Sequence, residues 1–232
     1  MQSKKITLSS EIMYLVATVV LAFSVAMLTA ADFGVSMIVA PAYIFSLKFN
    51  IFTFGQSEYI IQAVVFILFC IIVRRIKLIY FTSFLSCLIY GAVLDLWRVA
   101  IPLFNPAVTS AESIPMALRI ILFAGGELLT AVSIAIFFRC YIFPQVYDFF
   151  VKCICDKFSF DKSKFKIAFD FSFLALALIF SLAFFGEFRG IGIGTLVIVC
   201  VNGVAIGAAG KLIDKFFEIK PTFKKLEEKF VI

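Results

Sequence analysis

An all-α membrane protein is what this sequence predicts, and three observations carry that prediction. Of the 232 residues 63% are hydrophobic and only 16% charged, where a soluble domain is about half apolar and about a quarter charged. The mean hydropathy is +1.09. The apolar residues gather into six runs of spanning length, at about 20 residues per crossing, and most of the charge falls between them. The expected architecture is six transmembrane helices plus two short re-entrant or interfacial helices, arranged as two inverted three-span repeats.

Lys4 and Lys5 precede the first span, Leu8 to Ala30. It lacks a small-residue cleavage site before a soluble domain, so no removable signal peptide is expected. Ala31-Asp32-Phe33-Gly34 breaks it. Val35 to Leu47 is apolar but too short to cross and contains Pro41, which makes it re-entrant or interfacial. Span two runs from Tyr59 to Val73, and Arg74, Arg75 and Lys77 stop it. Span three, Ile79 to Val99, carries Gly91, Asp95 and Arg98. A polar loop from Pro102 to Pro115 leads to span four, Ala117 to Phe138, ended by Arg139 and Pro144. Val146 to Ile154 is a second short apolar piece. Asp156 to Lys166 is charged and opens span five, Ile167 to Phe185. The turn Gly186 to Gly194 opens span six, Ile193 to Ala209, and a charged, amphipathic tail begins at Lys211.

Of the 21 lysines and arginines, only Lys48, Arg98, Arg119 and Arg189 fall on one side of this topology. Positive residues favour the cytoplasm, so both termini are expected there, in the plasma membrane. The net charge of +6 follows from that placement, and nucleic acid is not an expected partner. The bilayer and an unidentified small solute are, and homo-oligomerisation stays open. The tail is expected to form a solvated or headgroup-touching helix.

Phe52-Thr53-Phe54-Gly55-Gln56-Ser57-Glu58-Tyr59 is similar to Phe158-Ser159-Phe160-Asp161-Lys162-Ser163-Lys164-Phe165, and each octet follows a short apolar piece and precedes a span. Ser83 stands eight residues before Gly91 in span three, and Thr195 eight before Gly203 in span six. The chain divides accordingly into a first half (1–101), an outer connecting loop (102–116), a second half (117–210) and a cytoplasmic tail (211–232). Three spans per half invert the second half, as in many secondary transporters, whose sites lie near the midplane between halves. The competing explanation is chance similarity of Phe-rich apolar stretches.

The order of these features resembles the YczE/YitT-like family of bacterial integral membrane proteins. The pieces that carry the resemblance are Phe33-Gly34-Val35-Ser36, Tyr90-Gly91-Ala92-Val93-Leu94-Asp95-Leu96-Trp97, Lys166 with Asp170, and Gly190-Ile191-Gly192-Ile193-Gly194-Thr195 with Gly203. The resemblance implies a six-span fold with two related halves and assigns no substrate. An acid at the position of Glu127 is not part of that family pattern.

Glu127 sits mid-span, after Gly125 and Gly126. A carboxyl group in hydrocarbon costs at least about 2.5–3.5 kcal/mol, so it must face protein or a wet cavity. A desolvated acid favours its neutral form, and a neutral acid that can release its proton to bind a cation is what a proton-coupled carrier needs. The alternative is a neutral Glu bonded to a neighbouring helix. Gly91, Asp95 and Arg98 share one helix face, where Asp95 and Arg98 can form a structural ion pair or contribute to a site. Asp170 can bind a cation or proton, cap its helix, or pair with Lys166. Gly203 and Gly207, with Gly91 as the expected partner across the repeat, form a candidate close-packing face, and Asn202 beside them needs a bond. Gly190-x-Gly192-x-Gly194 lacks the βαβ surroundings of a phosphate fingerprint and is expected to serve packing and turning.

The chain contains no histidine and six cysteines. No metal site, cofactor or activated nucleophile can be assembled, so an enzyme is not expected, and the Cys153-x-Cys155 spacing is assigned to free thiols. The expected function is a small transporter or permease, cation- or proton-coupled through buried carboxylates. The alternative is a non-transporting scaffold or accessory protein of an export or biosynthetic complex.

Overall fold

The computed structural model describes residues 5–74, 77–143, 145–223 and 227, the side chain of Ser163 excepted. Lys4, Arg75, Pro144, Lys224, Lys225 and Lys229, which the sequence analysis used for span ends and charge placement, lie outside the described residues.

The elements are β1 (Ile6–Ser9), α1 (Ser10–Ala31), α2 (Ala40–Lys48), α3 (Phe54–Val73), α4 (Phe81–Ala100), α5 (Met116–Phe137), α6 (Val146–Phe158), α7 (Lys162–Phe185), α8 (Ile193–Phe216) and β2 (Phe217–Lys220). Six helices are long and apolar enough to cross a bilayer. α2 and α6 are the two short ones.

Local chemistry fixes the ends. Thr53 accepts the Gln56 N–H while the Gln56 side chain accepts the Thr53 N–H, a reciprocal cap that starts α3. Asp161 accepts the Lys164 N–H at 2.8 Å and starts α7. Both helices therefore begin five residues before the apolar runs expected from sequence. Asp32, Arg74, Ser159 and Gly186 take left-handed conformations where α1, α3, α6 and α7 stop.

α1 and α5 form the central crossing. Small residues are buried all round α1: Ala17, Ala22, Ala26 and Ala30 are at most 5% exposed. A Cβ on Gly126 would lie 3.0 Å from the Ser24 carbonyl oxygen, and the Ser24 and Thr130 hydroxyls bond at 2.9 Å beside it. Small residues let backbones approach where lipid offers no hydrophobic drive for helices to associate.

The remaining contacts come in matched pairs. α1 packs on α4 and α5 on α8; α2 packs on α3 and α6 on α7; α2 packs on α7 and α6 on α3. The lysine near the end of each short helix caps a long one. Lys48 donates to the Phe184 carbonyl at the end of α7, at 3.0 Å. Lys157 donates to the Ile72 and Val73 carbonyls at the end of α3, at 3.0 and 2.9 Å. Two pairs break the pattern: α3 packs along α4, whereas α7 and α8 scarcely touch, and α6 packs on α4 where α2 and α8 have no comparable contact.

Both short helices are sunk in the protein. Ala40 to Ile44 are buried on α2, and so are Val146, Tyr147 and Phe149 to Val151 on α6. The irregular stretch before α2 is covered too. Val35 N–H donates to Gly190 O, Gly194 N–H to Phe33 O and the Thr195 hydroxyl to Val35 O, at 3.1, 2.7 and 2.8 Å. Gly34, at φ +102°, passes so close to Gly192 that a side chain has no room. The glycine-rich turn before α8 thus satisfies backbone that lipid could not.

The tail differs from the helix expected of it. α8 runs on to Phe216, and β2 then pairs in parallel with β1, Ile6 opposite Phe217. In β2 Phe217 and Ile219 are half-buried while Glu218 and Lys220 are exposed, a period-two alternation that suits a strand. This pairing sets the two ends of the bundle side by side. Glu11 at the start of α1 accepts the N–H groups of Thr222 and Phe223 at 3.0–3.1 Å.

Candidate functional site: a walled cavity beside the central crossing

A cavity of about 730 Å³ lies between α1, the α1–α2 connection, α5, α7 and α8. Leu21, Val25 and Leu28 of α1 and Val35 to Val39 of the connection supply apolar wall. Glu127 and Thr130 enter from α5, Lys166 and Asp170 from α7, Asn202 and Gly203 from α8, and Gln145, Tyr147 and Asp148 from the start of α6. Three of the residues singled out in the sequence, Glu127, Asp170 and Asn202, therefore meet at one place.

Their surroundings differ. Glu127 is 6% exposed, and neither of its carboxyl oxygens has a hydrogen-bond partner among the described residues. The Asn202 amide oxygen is also buried without a partner, although the residue as a whole is half-buried. Asp170 has an ion pair, its Oδ1 lying 3.0 Å from Lys166 Nζ, although that oxygen lacks hydrogen-bond geometry among the described residues. The same ammonium lies 3.2 Å from Asp148 Oδ1. Lys166 thus bridges two helices with two carboxylates, the pairing with Asp170 that the i, i+4 spacing had offered.

Behind the cavity wall lies a polar cluster the sequence analysis missed. Glu58 and Gln62 of α3 are fully buried. Gln62 Nε2 donates to Glu58 Oε2 and to Gln145 Oε1, each at 3.1 Å. The Tyr147 hydroxyl donates to Glu58 Oε2 at 3.0 Å, and Gln62 Oε1 accepts the Val146 N–H at 3.1 Å. Burial and the facing Glu58 carboxyl push the Tyr147 phenol well above its usual pKa, so it remains a donor. Tyr147 and Gln145 each touch this cluster and line the cavity. Glu58 escaped notice because span two was started at Tyr59, which left Glu58 in a polar lead-in. The i, i+4 pair Glu58 and Gln62, read with Thr53 as the cap, was the available signal.

Asp95 and Arg98 lie elsewhere, and the ion pair expected between them does not form. Asp95 Oδ1 accepts the Gly55 N–H at 2.9 Å and Oδ2 the Thr53 hydroxyl at 2.5 Å, so the carboxylate holds the start of α3, where the helix dipole favours negative charge. Arg98 stacks over the Phe54 ring at 5.5 Å and donates to the Phe104 carbonyl at 3.4 Å. The expected contact of Gly203 and Gly207 with Gly91 is also corrected. Nothing lies within 4 Å of a Cβ built on Gly203 or Gly207. Gly91 packs instead against Gly55 and the Tyr59 ring of α3. α3 begins early enough to bring Gly55 opposite Gly91, and that neighbour takes the place the repeat had assigned to α8.

A family model matches residues 8–211, from just before α1 to the last turns of α8. The chain belongs to a family of unknown function, DUF6198. The match covers α1 to α7, α8 as far as Lys211, and the cavity residues named above. No curated protein and no solved structure matches the chain.

Proposed function

We propose that the protein is a small carrier of the plasma membrane, built of two inverted, related halves, with both termini in the cytoplasm and a solute site at Glu127. One observation carries the proposal: a cavity walled by both halves holds a carboxyl group that is buried and has no protein partner. A structural carboxyl would have found donors, because burying one without them costs several kcal/mol. The matched helix contacts and the two capping lysines support a duplication, and the duplicated order of features supports kinship with the YczE/YitT-like proteins. In this reading the departure from symmetry has a purpose. The α3–α4 seam is shut while the α7–α8 seam stands apart, as one side of an alternating carrier would.

Accessibility tests this without a known solute. A single cysteine at Ile206, on the cavity wall, is placed in a background free of the native cysteines and studied in sealed, oriented vesicles. An impermeant thiol reagent is expected to reach it from either side as conditions shift the population. Labelling from one side alone under every ion and pH gradient would remove the carrier.

A second reading, a non-transporting accessory protein, is favoured by α8. Only 11% of its spanning window is buried, which leaves an apolar face for another membrane protein. It predicts a stable co-purifying partner and no flux.

A further inference from the structure

We infer that the cavity takes an organic ammonium ion with an apolar body, a cargo that deepens the carrier reading above and rests on it. Size favours an organic molecule over a bare metal ion. At about 730 Å³ the cavity is in the range that encloses whole small organic molecules. Among the described residues no cluster of three or more metal-ligating side chains exists. Among the described residues the cavity's buried polar atoms without a hydrogen-bond partner are all acceptors: both oxygens of Glu127, Oδ1 of Asp170 and the amide oxygen of Asn202. What completes them is a donor, and a protonated amine supplies up to three. Charge points the same way. Glu127, Asp148 and Asp170 face one base, Lys166, and that base already lies 3.0–3.2 Å from the two aspartates. An ammonium ion would relieve the remaining excess. An anion would have to displace an aspartate from Lys166.

The walls specify the rest of the cargo. Leu21, Val25 and Leu28 on α1, Ile134 and Phe137 on α5 and Phe171 on α7 surround the polar groups. An aryl or alkyl body of several carbons would bury its apolar surface against them. The aromatic rings give the charge a second favourable environment.

The test is equilibrium binding to the purified protein in nanodiscs. The probes are a series of arylalkyl ammonium ions headed by phenethylammonium, their N-trimethyl analogues and 3-phenylpropanoate. The primary ammonium ions are expected to bind saturably and the carboxylate not to. Glu127→Gln should weaken ammonium binding roughly tenfold or more, through loss of a charge-assisted bond. The trimethyl analogues, which cannot donate, should bind several-fold more weakly. Glu127 has no protein partner to lose, so its Gln variant should fold, and Asn202→Ala supplies an independent measurement with a smaller loss. Saturable binding of phenylpropanoate in preference to the ammonium ions would overturn the inference. So would ammonium binding indifferent to Glu127, or no binding of any ammonium ion in the series. If the ammonium ions bind through Glu127 while the Ile206 cysteine stays one-sided, the cargo class survives and the carrier does not. If labelling succeeds and the carboxylate binds, the reverse holds.

Discussion

Two seams in this protein invite comparison. The repeat proposed from the sequence pairs Gly91 of α4 with Gly203 of α8, each eight residues after a hydroxyl side chain, Ser83 or Thr195. At the first seam α4 lies against α3 with backbone on backbone: a Cβ on Gly55 would fall on the Gly91 carbonyl oxygen. At the second seam α8 stands away from α7, Gly203 meets nothing within 4 Å, and the gap is part of the cavity wall. The same small residue in the same register closes one interface and leaves the other open. A glycine permits close approach without compelling it. The difference arises from what else bonds across the seam. Asp95 ties α4 to the Gly55 N–H and Thr53 hydroxyl of α3. Among the described residues of α7 and α8 no ion pair or side-chain hydrogen bond joins the two helices; Lys166 and Asp170 bond each other, and Lys166 also reaches Asp148 of α6.

The comparison can be broken in three places. Gly91→Ala and Gly55→Ala should each lower unfolding stability by about 1–3 kcal/mol, through overpacking against rigid backbone. Gly203→Ala and Gly207→Ala should change it by less than about 1 kcal/mol, and upward, because Ala favours helix and meets no neighbour. Thermal or denaturant unfolding in one detergent measures all four, and equal losses at Gly91 and Gly203 would mean that both seams close. Next, Asp95→Ala should cost about 1–2 kcal/mol, as for the loss of a helix cap, with partial recovery in Asp95→Asn. Asp170→Ala, whose partner Lys166 keeps Asp148, should cost about 1 kcal/mol or less. The smallest effect sharpens the symmetry itself. Lys48→Ala and Lys157→Ala should each cost about 0.3–1 kcal/mol, the usual worth of a cation at a helix C-terminus, and should agree with each other within about 0.5 kcal/mol. A large effect from one and none from the other would count against equivalent halves.

Much of the site was legible because desolvation is a local property of sequence. Glu127 stood deep in a predominantly apolar run, so its burial could be inferred without any contact being known. Asp170 showed its partner through helical spacing alone. Glu58 was hidden because its burial depends on α6, some 90 residues later, whose Tyr147 and Gln145 come to rest over it. Asp95 misled because a neighbour on the same face, Arg98, seemed the natural partner, while the actual donors came from the distant start of α3.

The sequence by itself determined that there are six spanning helices and two short ones, and most of their ends to within about five residues, with the end of α8 missed by seven. Those are matters of apolar length, caps and breakers, which act within a turn or two. It also placed a carboxyl group where water is scarce. Only the tertiary structure decided that this carboxyl lacks a partner, that Asp170 and Asn202 share its cavity, and that one glycine seam shuts while its counterpart stays open. Each of those depends on which helix lies opposite. That choice is made by short-range packing and hydrogen bonds between residues far apart in the chain, so it leaves no periodic trace along the sequence.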